Sequence, residues 1–166
     1  MQVILKTSAG DITLELDAEA APKTVSNFVQ YAKEGHYAGT IFHRVIKSFM
    51  IQGGGFAHGM VQKKNREPIT NESSNGLCNL KYTVAMARTN AANSATAQFF
   101  INTKDNFGLD KKICKDGFGY CVFGRVVSGM NVVDSIEKVA TQKIGGHSDV
   151  PIEDIEINSV EICEAA

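Results

Sequence analysis

The chain is expected to be mainly β, a barrel or sandwich of about eight short strands with two helices laid over it. Three observations predict this. Short runs rich in β-branched and aromatic residues alternate with polar ones. Clusters of Gly, Asn, Asp and Ser separate them. Only two segments switch to the three-and-four spacing of an amphipathic helix. A chain of 166 residues fits one domain, 1–166, and is long enough to fold without disulfide or metal staples.

Residues 3–7 and 12–16 alternate and are joined by Ser8-Ala9-Gly10-Asp11, a hairpin turn. The first helix spans Pro22–Lys33: Pro22 suits its first turn, Val25, Phe28, Val29 and Ala32 form one apolar stripe, and Gly35 ends it. Strands follow at 41–46 and 49–52, with Lys47-Ser48 as the turn between them. The polar segment 58–81 reads as a surface loop. Strands at 83–88 and 99–103 precede a second long loop, 104–119, and loops of that length often frame a site. A strand at 122–127 leads to the second helix, 131–139, whose Val132, Val133, Ile136 and Val139 face the core and whose start Ser128 or Asn131 can cap. The last strand is 155–162.

Composition excludes several functions. A chain that is 43% hydrophobic and 21% charged, with a net charge of -1, suits a soluble globule and argues against nucleic acid or membrane as a partner. No apolar run approaches the ~18 residues of a spanning helix. No export leader is visible, so the expected location is the cytoplasm, with Cys78, Cys114, Cys121 and Cys163 as reduced thiols outside any C-x-x-C pair. Asn71-Glu72-Ser73 matches a glycosylation sequon that means nothing without export. Gly53-Gly54-Gly55 lacks the Gly-Lys-Ser/Thr of a phosphate loop and reads as backbone that bulges or approaches a neighbour. His36, His43, His58 and His147 show no ligand spacing, and no nucleophilic triad assembles. No metal or cofactor is expected.

The stretch from Phe42 to Phe56 is the most informative. It sets one guanidinium, Arg44, among apolar and aromatic residues, with Gln52 eight positions later. Positions 44, 46, 50 and 52 share parity, so strands joined by a turn at Lys47-Ser48 point them to one face, while His43 faces away. A fixed cation beside an apolar surface and a neutral amide suits recognition of a polar backbone next to an apolar side chain. The runs Val84–Thr89 and Gln98–Asn102 add Met86, Phe99 and Phe100, each a core candidate when taken alone; Gln98 shares parity with Phe100 and can border any pocket Phe100 lines.

Together these runs resemble the cyclophilin-type peptidyl-prolyl cis-trans isomerases, most of all the small bacterial cytoplasmic branch. The matching text is Phe42-His-Arg-Val-Ile, Phe49-Met50-x-Gln52-Gly-Gly, Met86-Ala87, Gln98-Phe99-Phe100-Ile101, Val122-Phe123-Gly124 and, in the first helix, Pro22-Lys23-Thr24-Val25-x-Asn27-Phe28, in the family's order over residues 2–163. The resemblance implies a closed eight-stranded antiparallel β-barrel capped by two α-helices, with a substrate groove on its outer wall. It implies acceleration of X–Pro rotation in unfolded or flexible protein segments, assisting folding. The sequence shows no hydrophobic oligomerisation motif, so a monomer is the default expectation. Carried over by motif, Arg44, Gln52, Phe100 and Tyr120 are the catalytic set. Phe49, Met50, Ala87, Arg88, Gln98 and Leu109 are the substrate-binding set. Phe49, Met50, Phe100 and Leu109 would take the proline ring, and Gln52 and Gln98 the peptide backbone. Three positions depart from the family. Arg88 stands where many members have Asn. Gly108 stands where many have Trp, so cyclosporin-type ligands are expected to bind weakly. Tyr120 replaces a groove histidine and keeps an aromatic face, so catalysis is expected to survive. The rival reading is a proline-peptide binding or chaperone module whose isomerase activity is incidental.

Overall fold

The computed structural model describes residues 1–163. In chain order the elements are β1 (Gln2–Thr7), β2 (Gly10–Leu16), α1 (Pro22–Lys33), β3 (Thr40–Ile41), β4 (Arg44–Ile46), β5 (Met50–Gly53), β6 (Phe56–Ala57), β7 (Val61–Gln62), β8 (Thr83–Met86), β9 (Phe99–Asn102), β10 (Val122–Ser128), α2 (Met130–Glu137), β11 (Thr141–Ile144), β12 (His147–Pro151) and β13 (Glu156–Cys163). Eleven strands form one antiparallel sheet in the order β4-β5-β9-β8-β10-β2-β1-β13-β3-β6-β7, and β11 pairs only with β12.

The mainly β fold with two helices is as expected, but the strand list differs. The expected strand 41–46 is two: Thr40–Ile41 pairs with β13 and β6, whereas Arg44–Ile46 pairs with β5. The path bends at Phe42 and His43, both buried. The neighbouring path bends at Gly54 and Gly55, between β5 and β6. The two ends of the sheet are therefore legs of the same bent strands, and chain rather than a hydrogen-bond ladder joins them. Counting each bent strand once gives eight around the curl: β1, β2, β3–β4, β5–β6, β8, β9, β10 and β13, with β7 as an added edge.

Three further expectations change. β8 stops at Met86, leaving Ala87 and Arg88 beyond the strand. The β11–β12 hairpin was not expected, because β11 is exposed throughout and has no core face to set a period. Neither Ser128 nor Asn131 caps α2; its N-cap is Gly129, at φ +87°, where a Cβ would stand 2.2 Å from the Asp11 carbonyl. At α1 the local cap is also missing, and Glu72 supplies one from 48 residues away: its Oε1 accepts from the Thr24 N–H at 2.7 Å and from the Thr24 hydroxyl at 2.7 Å.

The core shows why the sheet can carry a site on its back. Strand alternation sends Ile51, Val84, Met86, Phe99, Ile101 and Phe123 inward, where Phe28 of α1 packs on Tyr37, Phe99 and Phe123 at ring separations of 4.9, 5.6 and 5.4 Å. The intervening residues Met50, Ala85, Phe100 and Val122 point outward, yet are also buried and form a second apolar cluster with Ile46, Phe49, Leu77, Ala87, Leu109 and Tyr120. An apolar outer face needs a cover or a ligand, and the 104–119 segment covers only part of it.

Candidate active site

The β4–β5 hairpin places the first groove residues. Its register sets Arg44 opposite Gln52 and Ile46 opposite Met50, so these four share the outer face. The turn runs through Ser48 at φ +59°, whose N–H donates to Glu137 Oε2 at 2.9 Å and ties the hairpin to α2. Across β5, Gln52 lies opposite Phe100 of β9, and Phe100 opposite Ala85 of β8.

These side chains surround a cavity of about 200 Å³ lined by Arg44, Phe49, Met50, Gln52, Ala87, Arg88, Phe100, Leu109 and Tyr120. Nine of the ten residues singled out in the sequence therefore meet at one hollow. The tenth, Gln98, stands behind it: Gln52 Nε2 donates to Gln98 Oε1 at 2.9 Å, while Arg44 Nη1 donates to Gln52 Oε1 at 3.4 Å. Gly55 makes room for this arrangement, since a Cβ there would lie 2.5 Å from the Gln98 side chain. The glycine run is thus a matter of close packing, as expected. Arg44 is exposed and takes part in none of the ion pairs among the described residues, so its charge stays available to a ligand.

The far rim is built differently. Tyr120 packs its ring edge-on to Phe100 at 5.8 Å, and its N–H donates to the Leu109 carbonyl at 2.9 Å. Arg88 lies against Tyr120, with its guanidinium carbon 4.2 Å from the ring centre. It pairs with Asp116 at 2.8 Å. The Phe118 N–H and then Arg88 hold the Asp116 carboxyl down to about 2, so it stays ionised.

Three buried asparagines support this rim, and the sequence reading missed them. Asn106 Nδ2 donates to the Phe49 carbonyl and to Asn102 Oδ1, each at 2.8 Å. Asn102 Nδ2 donates to Asn79 Oδ1 at 3.0 Å, and Asn79 Nδ2 donates to Asp110 Oδ1 at 2.9 Å and to the Tyr120 carbonyl at 3.3 Å. The relay fixes the backbone of two groove residues, Phe49 and Tyr120. Asn102 alone left a trace in the sequence, as a polar residue sharing parity with Phe100.

His43 faces away from the groove, as parity required. It is 6% exposed, rests on Phe56 at 4.6 Å, and its Nδ1 has no partner. Burial, then His147 and Arg44, push its pKa down to about 4, so the ring is neutral near pH 7. Among the described residues no group of three or more His, Cys, Asp or Glu is placed to hold a metal ion.

A hollow walled in part by Phe49, Met50, Ala87, Phe100 and Leu109, with one available cation and a pair of amides beside them, can grip a ring and an adjoining peptide plane, and its lining holds no Ser, Thr, Cys, Lys, Asp or Glu. Comparison with known proteins agrees. The sequence profile of the cyclophilin type peptidyl-prolyl cis-trans isomerases matches residues 2–162. The chain is 58% identical to the peptidyl-prolyl cis-trans isomerase cyp18 of Streptomyces antibioticus, over 96% of this chain and 97% of that protein. It is 55% identical to peptidyl-prolyl cis-trans isomerase B of Escherichia coli K12, over 98% and 99%. Its fold matches, with a TM-score of 0.77 and 27% identity, a crystal structure of a Cryptosporidium parvum cyclophilin type isomerase in the presence of the dipeptide Ala-Pro, covering 99% of this chain and all of that one. The chain therefore belongs to the cyclophilin-type peptidyl-prolyl cis-trans isomerase family and is an enzyme that speeds rotation about the peptide bond preceding proline.

Proposed function

We propose that the groove works by stabilising the twisted imide without forming any bond to it, with Arg44 as the catalytic group. The observation that carries this reading is the register of Arg44 against Gln52 over the apolar hollow. Amide resonance sets a barrier of ~18–20 kcal/mol. Unaided exchange takes roughly 10–100 s. A turnover of ~10³ s⁻¹ asks for a factor of roughly 10⁴–10⁵, or about 5–7 kcal/mol.

At mid-rotation the imide nitrogen lone pair is no longer shared with the carbonyl and becomes an acceptor. A planar, always-charged guanidinium can donate to it. A hydrogen bond to a charged group contributes about 1.5–3 kcal/mol, so Arg44 alone is not enough. The remainder is assigned to selective grip: the proline ring held by Phe49, Met50, Phe100 and Leu109, the preceding peptide by Gln52, which Gln98 orients. Tyr120 supplies an aromatic wall and no proton. Arg44→Lys is expected to keep most peptide affinity and to lose most turnover, read by NMR exchange on an Ala-Pro peptide. A near-normal exchange rate would remove Arg44 from the mechanism.

The same reading makes flexible, proline-containing segments of unfolded proteins the clients, with residues 1–166 as one isomerase domain acting as a monomer. Gly108 offers no indole donor, so cyclosporin-type ligands are expected to bind weakly. Four free cysteines suit a reducing compartment such as the cytoplasm. No helix among the described residues is long and apolar enough to cross a membrane.

A further inference from the structure

The groove holds two guanidiniums in opposite situations. Arg44 is exposed and loosely held. Arg88 has a side chain only 2% exposed, and each of its nitrogens is occupied: Nε donates to the Gly119 carbonyl at 3.0 Å, Nη1 to the Thr89 carbonyl at 2.9 Å and Nη2 to Asp116 Oδ2 at 2.8 Å. Asp116 cannot turn away easily, because it also accepts from the Phe118 N–H at 2.9 Å. The Arg88 side chain also lines a second hollow, of about 10 Å³, shared with Thr24, Ile69, Met86, Ala95 and Cys121. That space is about the size of one water.

We propose that Arg88, clasped by Asp116, decides which residue beside the proline the groove accepts. The pair presents a filled wall with its charge cancelled, so the favoured flanking side chains are small and uncharged. This rests on the isomerase reading of the groove. Two consequences differ in kind. Truncating Arg88 joins the small hollow to the groove and makes room for bulk. Neutralising Asp116 leaves the guanidinium in place and uncovers its charge.

The test uses the whole protein and four short peptides carrying Ala, Leu, Phe or Glu before proline. Relative kcat/KM comes from NMR exchange and relative affinity from NMR titration. Arg88→Ala is expected to raise the Phe-to-Ala ratio about fivefold, within the range that added apolar space provides. Asp116→Asn is expected to raise the Glu-to-Ala ratio about threefold or more, and to lose that gain at about 1 M salt, where the screening length is ~3 Å. Ratios within about twofold of the unaltered protein in both variants overturn the proposal, as does a Glu gain that survives high salt. Should Arg88→Ala not fold, Arg88→Met combined with Asp116→Asn decides: the Glu gain must vanish with the guanidinium, and its persistence overturns the proposal. A protein that binds the peptides but turns none of them over would sink the isomerase reading, while the affinity ratios would still decide this one.

Discussion

At the scale of single residues, His43 and Arg44 show how neighbours in sequence divide labour across a sheet. Arg44 reaches the groove, while His43 is buried beneath Phe56 with an unpartnered ring nitrogen. Its pKa is lowered to about 4, against about 6.5 for an unfolded chain. Between these values the unfolded state binds more protons, so stability rises with pH across this window and falls as pH drops from about 6.5 towards 4. The contribution is at most about 3 kcal/mol. Burial lowers the pKa of His36 as well, and the sign is the same. Urea unfolding at pH values above and below this window is expected to show a smaller pH dependence in His43→Phe than in the unaltered protein. An equal dependence would assign the effect to other groups.

At the scale of elements, the helices and hairpins depend on residues far away in the chain. α1 starts without a cap of its own, and Glu72 closes its first turn. Glu72→Ala is expected to cost about 1–2 kcal/mol in urea unfolding, and Glu72→Gln, which keeps an acceptor, clearly less. Such long-range dependence marks where sequence reading succeeds and where it stops. The α1 stripe and the shared face of Arg44, Ile46, Met50 and Gln52 were legible, because both follow from a local period. The bend at Phe42-His43 was not, since residue types alone do not say that a strand changes partner midway. β11 offered no alternation to read. The Asn79–Asn102–Asn106 relay was hidden for a different reason: an amide's partners lie on other elements, and only folding brings Asn79 to Asn102. The site residues themselves came from motif resemblance joined to parity, and that combination named the lining of the hollow before any distance was known.

At the scale of the molecule, one sheet serves as both core wall and groove floor. Inner and outer residues alternate on the same strands, so the groove is only one pleat away from the interior. Phe28 links α1 to that wall through Phe99 and Phe123, and packs on Tyr37 beside them. Phe28→Ala is expected to cost about 3–5 kcal/mol of stability. Because Phe99 adjoins Phe100, it is also expected to weaken proline-peptide affinity in the fraction that stays folded, read by NMR titration at low temperature. Unchanged affinity would show that the groove floor is insulated from the core.

A sheet that ends at β4 and β7 has two edges on which a foreign chain can template its own strand, the first step towards fibrils. β7 is two residues long, and the β11–β12 hairpin lays β12 against β4. Neither border offers a long, flat row of unpaired amides. If its clients are the half-folded chains proposed above, the enzyme is thereby spared from becoming a seed for them.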